Sequence, residues 1–205
     1  PFEMIDAIGT SRMAALLDEA GLETPAVLAS GDAFYRADGD VLTVRQSDGK
    51  FAAVSLPEGV MRFHMTRQTL TPITSNNAAS LFALEGDLRL VEFHSKANAL
   101  TDESMEIVAA AAKDHGKGII IHNDAQHFSA GVDLNAFRTL IEAQDWTGID
   151  DFLKRFQDAV FKLKYTPVPV VGAPSGLAAG GGYEVLTHCD KLVVHTNSVM
   201  GLVEA

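Results

Sequence analysis

Gly180-Gly181-Gly182-Tyr183-Glu184 is the stretch that decides how this chain is read. An apolar run, Val168 to Val171, comes first, followed by a loop of small residues, Ala173-Pro174-Ser175-Gly176-Leu177-Ala178-Ala179. A short helical pattern follows the glycines and ends near Cys189-Asp190. Strand, glycine loop and helix start bring bare backbone N–H groups to one point. A helix N-terminus leaves its first N–H groups unpaired and carries about half a positive charge. Such a place suits an oxygen that gains negative charge during reaction, and glycines let a ligand approach the backbone closely. Glu184 falls in the first helical turn beside it. Taken alone, the stretch also fits a plain glycine turn with a glutamate that favours its helix dipole, so the surrounding pattern has to decide.

From Ser80 onward strand, loop and helix alternate, which is an α/β signal. Ser80 to Leu84, a turn at Glu85-Gly86-Asp87, and Leu88 to His94 read as a hairpin. Lys96 to Leu100 is a loop, and Thr101 caps a helix running to about Lys113, with Asp102 and Glu103 in its first turn as the dipole favours. Ile119-Ile120-Ile121 is a buried strand. His127 to Leu134 turns from it into a helix carrying Phe137, Leu140 and Ile141, and a second helix runs from about Asp150 to Lys164. Lys191 to His195 reads as a last strand. Two of the strand-to-helix loops, Ser129 to Asp133 and Ala178 to Glu184, share one pattern of small residues, then glycine, then a helix start. Two such loops could aim two backbone N–H groups at one oxygen.

The front of the chain reads differently. Phe2 to Ile8 and Ser11 to Ala20 have helical spacing, with Thr10 as the expected N-cap and Gly21 as the stop. Thr24-Pro25 is a second cap, with proline at the first helical position. Asp38-Gly39 and Asp48-Gly49 are turn signals around two short strands, Val41 to Arg45 and Phe51 to Val54. Residues 1–60 hold no glycine fingerprint for a nucleotide. The expected organisation is therefore a small helical and hairpin segment at 1–60, a linker at 61–84, and an α/β domain at 85–205. Pro1 in first place, and Ala205 just after an apolar stretch, are expected to be internal to a longer protein.

The 205 residues carry a net charge of −11, which argues against nucleic acid as a partner, since phosphate binding needs a basic footprint. No run reaches the roughly 18 apolar residues of a membrane span, and no leader pattern opens the sequence. Cys189 is the only cysteine, which rules out an internal disulfide and fits a reducing compartment, expected to be cytoplasmic. A buried inert thiol is the expectation for it. None of the seven histidines has metal-ligand spacing, and no metal site is expected. Ser175 lacks the Gly-x-Ser-x-Gly context of a nucleophile.

Together, Phe128-Ser129-Ala130-Gly131-Val132-Asp133-Leu134, Gly180-Gly181-Gly182-Tyr183-Glu184, Cys189-Asp190 and Gly201-Leu202-Val203-Glu204 resemble the crotonase (enoyl-CoA hydratase/isomerase) superfamily in order and spacing. The resemblance covers roughly residues 85–205. It implies an incomplete ββα spiral, lacking the C-terminal part that completes the acyl pocket and the oligomer contacts. By motif position it implies an oxyanion hole from the N–H groups of Val132 and Gly181. It also implies two catalytic acids, Glu184 and Glu204, separated by 20 positions (204 − 184) as in the family's hydratases. Coenzyme A contacts are implied at Ala130, Asp133 and Leu134 and in the loop holding Lys96, Ala97 and Ala99. Pro1-Phe2-Glu3-Met4-Ile5-Asp6-Ala7-Ile8-Gly9 is similar to a segment in the C-terminal domain of 3-hydroxyacyl-CoA dehydrogenases.

The pairing implies a bifunctional fatty-acid β-oxidation protein with the dehydrogenase first. An acyl-CoA thioester would then be the substrate. The crotonase part would need no cofactor, and NAD would serve a dehydrogenase domain outside this sequence. The expected assembly is a homo-oligomer or association with the rest of a β-oxidation complex. Three readings stay open: a hydratase of trans-2-enoyl-CoA, a 3,2-enoyl-CoA isomerase, and a non-catalytic acyl-CoA binding or scaffold module. For hydration, Glu184 is the expected base on water and Glu204 the proton donor to Cα, with the reverse assignment also open.

Overall fold

A computed structural model describes residues 2–39 and 41–203. The chain divides into two compact units between Leu70 and Thr71.

In the first unit, helices α1 (Phe2–Ile8), α2 (Thr10–Glu19) and α3 (Ala26–Ala29) precede a three-stranded antiparallel sheet, β1 (Tyr35–Asp38), β2 (Val41–Arg45) and β3 (Phe51–Ala53). The Asp6 carboxylate accepts the Phe34 and Tyr35 N–H groups at 2.7 and 2.8 Å, which ties α1 to β1. The Phe2 and Phe34 rings pack at 4.5 Å between centroids. Thr10 does not cap α2. It lies inside the helix, Gly9 holds the cap position, and the Thr10 hydroxyl donates to the Gly31 carbonyl at 2.8 Å. Pro25 likewise stands at the cap of α3, one position before the helix, with φ −58° and ψ 138°. Strand β1 carries too little apolar alternation to announce itself, and it exists because β2 offers it a full antiparallel register.

The expected linker, 61–84, is structured. It holds helix α4 (Phe63–Thr66) on the side of the first unit and strands β4 (Thr74–Ser75) and β5 (Ala79–Leu84) on the side of the second. Ala79, Ser80, Leu81 and Phe82 are all buried, which is why β5 belongs to a sheet rather than to a connector.

The second unit is built on a six-stranded sheet whose strands lie side by side in chain order, outward from β4 and β5. Strand β5 runs antiparallel to β6 (Leu88–Phe93), through the turn where Gly86 and Asp87 take positive φ. From β6 the chain winds in one repeated sense. Helix α5 (Asp102–Lys113) leads to parallel β7 (Gly118–His122). Helices α6 (Leu134–Glu142) and α7 (Trp146–Lys164) lead to parallel β8 (Val170–Ala173). Helix α8 (Gly181–Thr187) then leads to parallel β10 (Lys191–Leu192). Thr101 and Ser104 cap α5 reciprocally, side chain to backbone in both directions. Helix α7 begins before Asp150 because Asp145 accepts the Gly148 N–H at 2.9 Å and caps it.

The core joins Leu81, Val91 and Phe93, Ile119 and Ile121, Val108 of α5, Leu163 of α7 and Leu186 of α8. Burying such side chains stabilises by about 1.5–3 kcal/mol each. Strand β8 meets α8 so closely that a Cβ on Gly172 would stand 2.6 Å from Leu186 Cδ2. Asp190 closes this edge, its carboxylate accepting the Val170 N–H at 2.8 Å and its own N–H donating to the Val170 carbonyl at 2.9 Å. Among the described residues no helix is long and apolar enough to cross a membrane.

Asn123, just past β7, is fully buried. Its Oδ1 accepts the Phe93 N–H at 2.6 Å and its Nδ2 donates to the Phe128 carbonyl. One side chain thus fixes the start of the Ser129 loop to the end of β6. Asn123→Ala leaves both backbone groups buried and unpaired, and should lower the free energy of unfolding by about 2–4 kcal/mol in urea titration.

Candidate active site

Two short strands that the residue pattern does not reveal hold the glycine loop. Strand β9 (Leu177–Ala179) lies parallel to β11 (Val199–Gly201), with Ala179 opposite Gly201. On its other side Ser129 bridges to Ala178: the Ser129 N–H donates to the Leu177 carbonyl at 3.0 Å, and the Ala179 N–H to the Ser129 carbonyl at 3.1 Å. A second parallel bridge joins Leu100 to Val132, through Leu100 N–H to the Gly131 carbonyl at 2.8 Å and Asp133 N–H to the Leu100 carbonyl at 2.9 Å. The two small-residue loops therefore lie side by side.

Val132 and Gly181 come together. A Cβ built on Gly181 would stand 2.7 Å from Val132 Cγ2 and 3.5 Å from Val132 N. From the other loop, a Cβ on Gly131 would lie 3.1 Å from the Ala179 carbonyl oxygen and 3.8 Å from Gly181 N. In the bridge with Leu100 the bonding partners are Gly131 and Asp133, so the Val132 N–H points away from that ladder. Gly181 is the first residue of α8, where N–H groups have no acceptor within the helix. Among the described residues neither N–H donates a hydrogen bond. Two unspent donors from separate loops thus stand next to each other. Gly180 makes the bend with φ 48° and ψ −121°, a conformation reserved for glycine, and its N–H is bonded to the Gly201 carbonyl at 3.0 Å.

Glu184 lies one turn along α8, exposed, and its side chain borders a cavity against α7. Glu204 lies outside the described residues. Gly201 pairs with Ala179 at the glycine loop, so the Gly201-Leu202-Val203 segment starts beside it. The residues expected to contact coenzyme A form one strip. Lys96 and Ala97 lie in a tight turn where Ala97 and Asn98 take positive φ (55° and 51°). The Ala130 N–H donates to the Ala97 carbonyl at 3.2 Å. Ala99 precedes the Leu100–Val132 bridge, and Asp133 caps α6 by accepting the Asn135 N–H at 2.9 Å. Lys96, Ala97 and Ala130 are exposed, and Leu134 is 75% exposed, so the strip faces solvent.

Sequence reasoning missed three parts of this site. Asn98 is buried and its Nδ2 donates to the His127 carbonyl at 2.8 Å, locking the Lys96 turn to the Ser129 loop. Ser129 is fully buried, and its hydroxyl accepts the Gly131 N–H at 3.1 Å. Phe156 of α7 reaches to 3.4 Å from the Gly181 Cβ position. A polar residue inside an apolar motif, as at Asn98 and Ser129, is the one signal that could have pointed to two of them. The buried Nδ1 of His127 has no hydrogen-bond partner among the described residues. No group of metal-ligating side chains occurs among the described residues.

Cys189 packs under Gly172 and its thiol points at the Val185 carbonyl, 3.6 Å away. Burial first, and the neighbouring Asp190 charge second, push its pKa up to about 12. Between the ordinary thiol range and that value the unfolded chain loses this proton and the folded chain keeps it, so stability falls as pH rises through that window. At pH 8 the folded protein should alkylate with iodoacetamide at least about tenfold more slowly than the unfolded chain. Gly182 is sealed against the other loop, and a Cβ there would meet Ser129 Cβ at 2.6 Å and Oγ at 2.9 Å. Gly182→Ala must part the loops and should cost about 1–3 kcal/mol in urea unfolding.

The sequence matches the Enoyl-CoA hydratase/isomerase family model over residues 88–205, more than half of the chain. A probable 3-hydroxyacyl-CoA dehydrogenase of Bacillus subtilis (strain 168) is 30% identical over 214 residues, covering all of this chain and 27% of that protein. A probable enoyl-CoA hydratase of the same organism is 30% identical over 134 residues, covering 62% of this chain and 50% of that protein. The crystal structure of an enoyl-CoA hydratase/carnithine racemase from Magnetospirillum magneticum superposes with a TM-score of 0.56 at 22% identity, covering 62% of this chain and 50% of that one. At that identity the likeness speaks for the fold, a crotonase-like α/β spiral, and the chain spans only a quarter to a half of these proteins. On the family match, the chain belongs to the enoyl-CoA hydratase/isomerase family.

Proposed function

We propose that residues 71–205 form the catalytic front of a domain that hydrates trans-2-enoyl-CoA to 3-hydroxyacyl-CoA. The observation that carries this is the pair of unspent N–H groups, Val132 and Gly181, held side by side with Glu184 one helical turn away. In hydration a water oxygen bonds to Cβ while the Cα–Cβ π electrons move onto the thioester oxygen. Two fixed donors on that oxygen stabilise the enolate-like state, and losing one such donor typically costs about a hundred- to a thousandfold in rate. Glu184 takes the water proton and Glu204 delivers one to Cα; exchange with solvent restores both. The strip from Lys96 to Ala99 and from Ala130 to Leu134 holds the coenzyme A portion.

The first unit is read as the tail of a 3-hydroxyacyl-CoA dehydrogenase domain. The support is the Bacillus subtilis relative, whose name is a dehydrogenase and whose alignment runs through the whole chain. In that reading this sequence serves a longer, bifunctional β-oxidation protein, with NAD bound by a dehydrogenase domain outside it and 71–84 as the opening of the hydratase domain. Such a protein is cytoplasmic and works as a homo-oligomer or within a β-oxidation complex.

Glu184→Gln in the complete protein that carries this sequence should lower hydration of crotonyl-CoA at least about a hundredfold, with little change in KM. Unchanged hydration removes Glu184 from the chemistry. Product analysis with a 3-enoyl-CoA separates the family's other activity: a double-bond shift without any hydration of the 2-enoyl thioester would make the protein an isomerase.

A further inference from the structure

Helix α7 bears on both loops of the site. Phe156 Cζ lies 3.4 Å from the Gly181 Cβ position, where α8 begins. Phe152, one turn earlier, meets the Phe137 ring of α6 edge-on, with centroids 4.9 Å apart at 73°. Helix α6 is the one that Asp133 caps, directly after Val132. A shift of α7 would therefore disturb the surroundings of both amides.

Arg155, next to Phe156, pins this helix to α5. Its guanidinium makes two hydrogen bonds to one carboxylate, Nε to Asp102 Oδ1 at 3.0 Å and Nη2 to Asp102 Oδ2 at 2.8 Å. Asp102 opens α5, and only the cap residue Thr101 separates it from Leu100, whose main chain makes both ladder bonds around Val132. Cavities of about 200 and 410 Å³ flank the pair, and both residues border each of them. Close packing is thus interrupted on either side, and the two-point ion pair spans the gap between the helices. The side chains are 54% and 43% exposed, and a pair so exposed adds little to global stability. What it does fix is the distance between the start of α5 and the turn of α7 that carries Phe156.

We propose that Arg155 and Asp102 are positioning residues, whose ion pair sets the spacing between the loop carrying Val132 and the loop carrying Gly181. The consequence for catalysis rests on the hydration reading above. Two donors must reach one oxygen together, and a displacement of about 1 Å at such a site can cost about a hundredfold in rate. Both residues act through the main chain: Asp102 through Leu100 and its ladder, Arg155 through Phe156 and the start of α8.

The test uses the complete protein that carries this sequence, with crotonyl-CoA, in Arg155→Ala, Asp102→Ala and the double variant. Either single change should lower kcat about tenfold and leave KM within about twofold. The double variant should lose no more than a single one, because either change already breaks the pair. Amide hydrogen exchange supplies a readout that needs no turnover. The Leu100 and Asp133 N–H groups, both in the ladder, should exchange about fivefold faster in each variant, while the amides of β7 keep their rates. Unchanged kcat, where the parent hydrates crotonyl-CoA, overturns the proposal and leaves hydration standing. So does a double variant whose loss is the product of the two single losses, or ladder amides that exchange as before. If the parent does not hydrate crotonyl-CoA, the hydration reading falls, and exchange alone decides whether the pair spaces the loops.

Discussion

The short parallel ladder between Ser129 and strand β9 is the constraint on which the rest depends. Two main-chain hydrogen bonds, at 3.0 and 3.1 Å, bind loops that lie some fifty residues apart in sequence. The proposed site in the second unit follows from that clamp. It brings Val132 against Gly181, sets the helix carrying Glu184 beside them, and leaves the two amides without acceptors among the described residues. The six-stranded sheet serves it by fixing where β7 and β8 end. The glycines serve it too: side chains at 181 and 182 would collide with the opposite loop, and one at 131 would crowd the Ala179 carbonyl.

In the proposed hydration, the two unpaired donors would supply the main stabilisation of the developing charge. The Val132 amide lies between two ladder bonds to Leu100, and the Gly181 amide follows the Gly180 bond to Gly201 and opens α8, so the direction of each is set by the fold. Preorganised donors of this kind are what the proposed oxyanion role requires. The buried polar side chains around it, Asn98, Asn123 and Ser129, each satisfy main-chain groups of the loops, so they hold shape rather than react.

Much of this arrangement was legible in the residues. The hairpin at Ser80 to His94, the Thr101 cap, the Ile119–Ile121 strand and both small-residue loops follow from local rules of turn, cap and period. The parts that were not legible depend on distant partners. Strand β1 exists through its register with β2, and β9 through two flanking segments of which neither is recognisable alone. The linker expected at 61–84 holds β4 and β5, and the burial of Ala79 to Phe82 accompanies the pairing of β5 with β6. Thr10 and Thr24 illustrate a local rule overridden, since both sit where a cap is expected, yet Thr10 gives its hydroxyl to the Gly31 carbonyl and Thr24 gives its own to the Asp18 carboxylate. At the site, the shared pattern of the two loops pointed to Val132 and Gly181 meeting, whereas Phe156 carried no signal beyond an inward helical face.

The most direct measurement is a crystal structure of the complete protein that carries this sequence with a non-reacting acyl-CoA thioester bound. The account predicts the thioester oxygen within about 2.7–3.2 Å of both the Val132 and Gly181 nitrogens, with the acyl chain leaving past Glu184. A thioester oxygen bound elsewhere, or touching only one of the two amides while the other faces away, would contradict it.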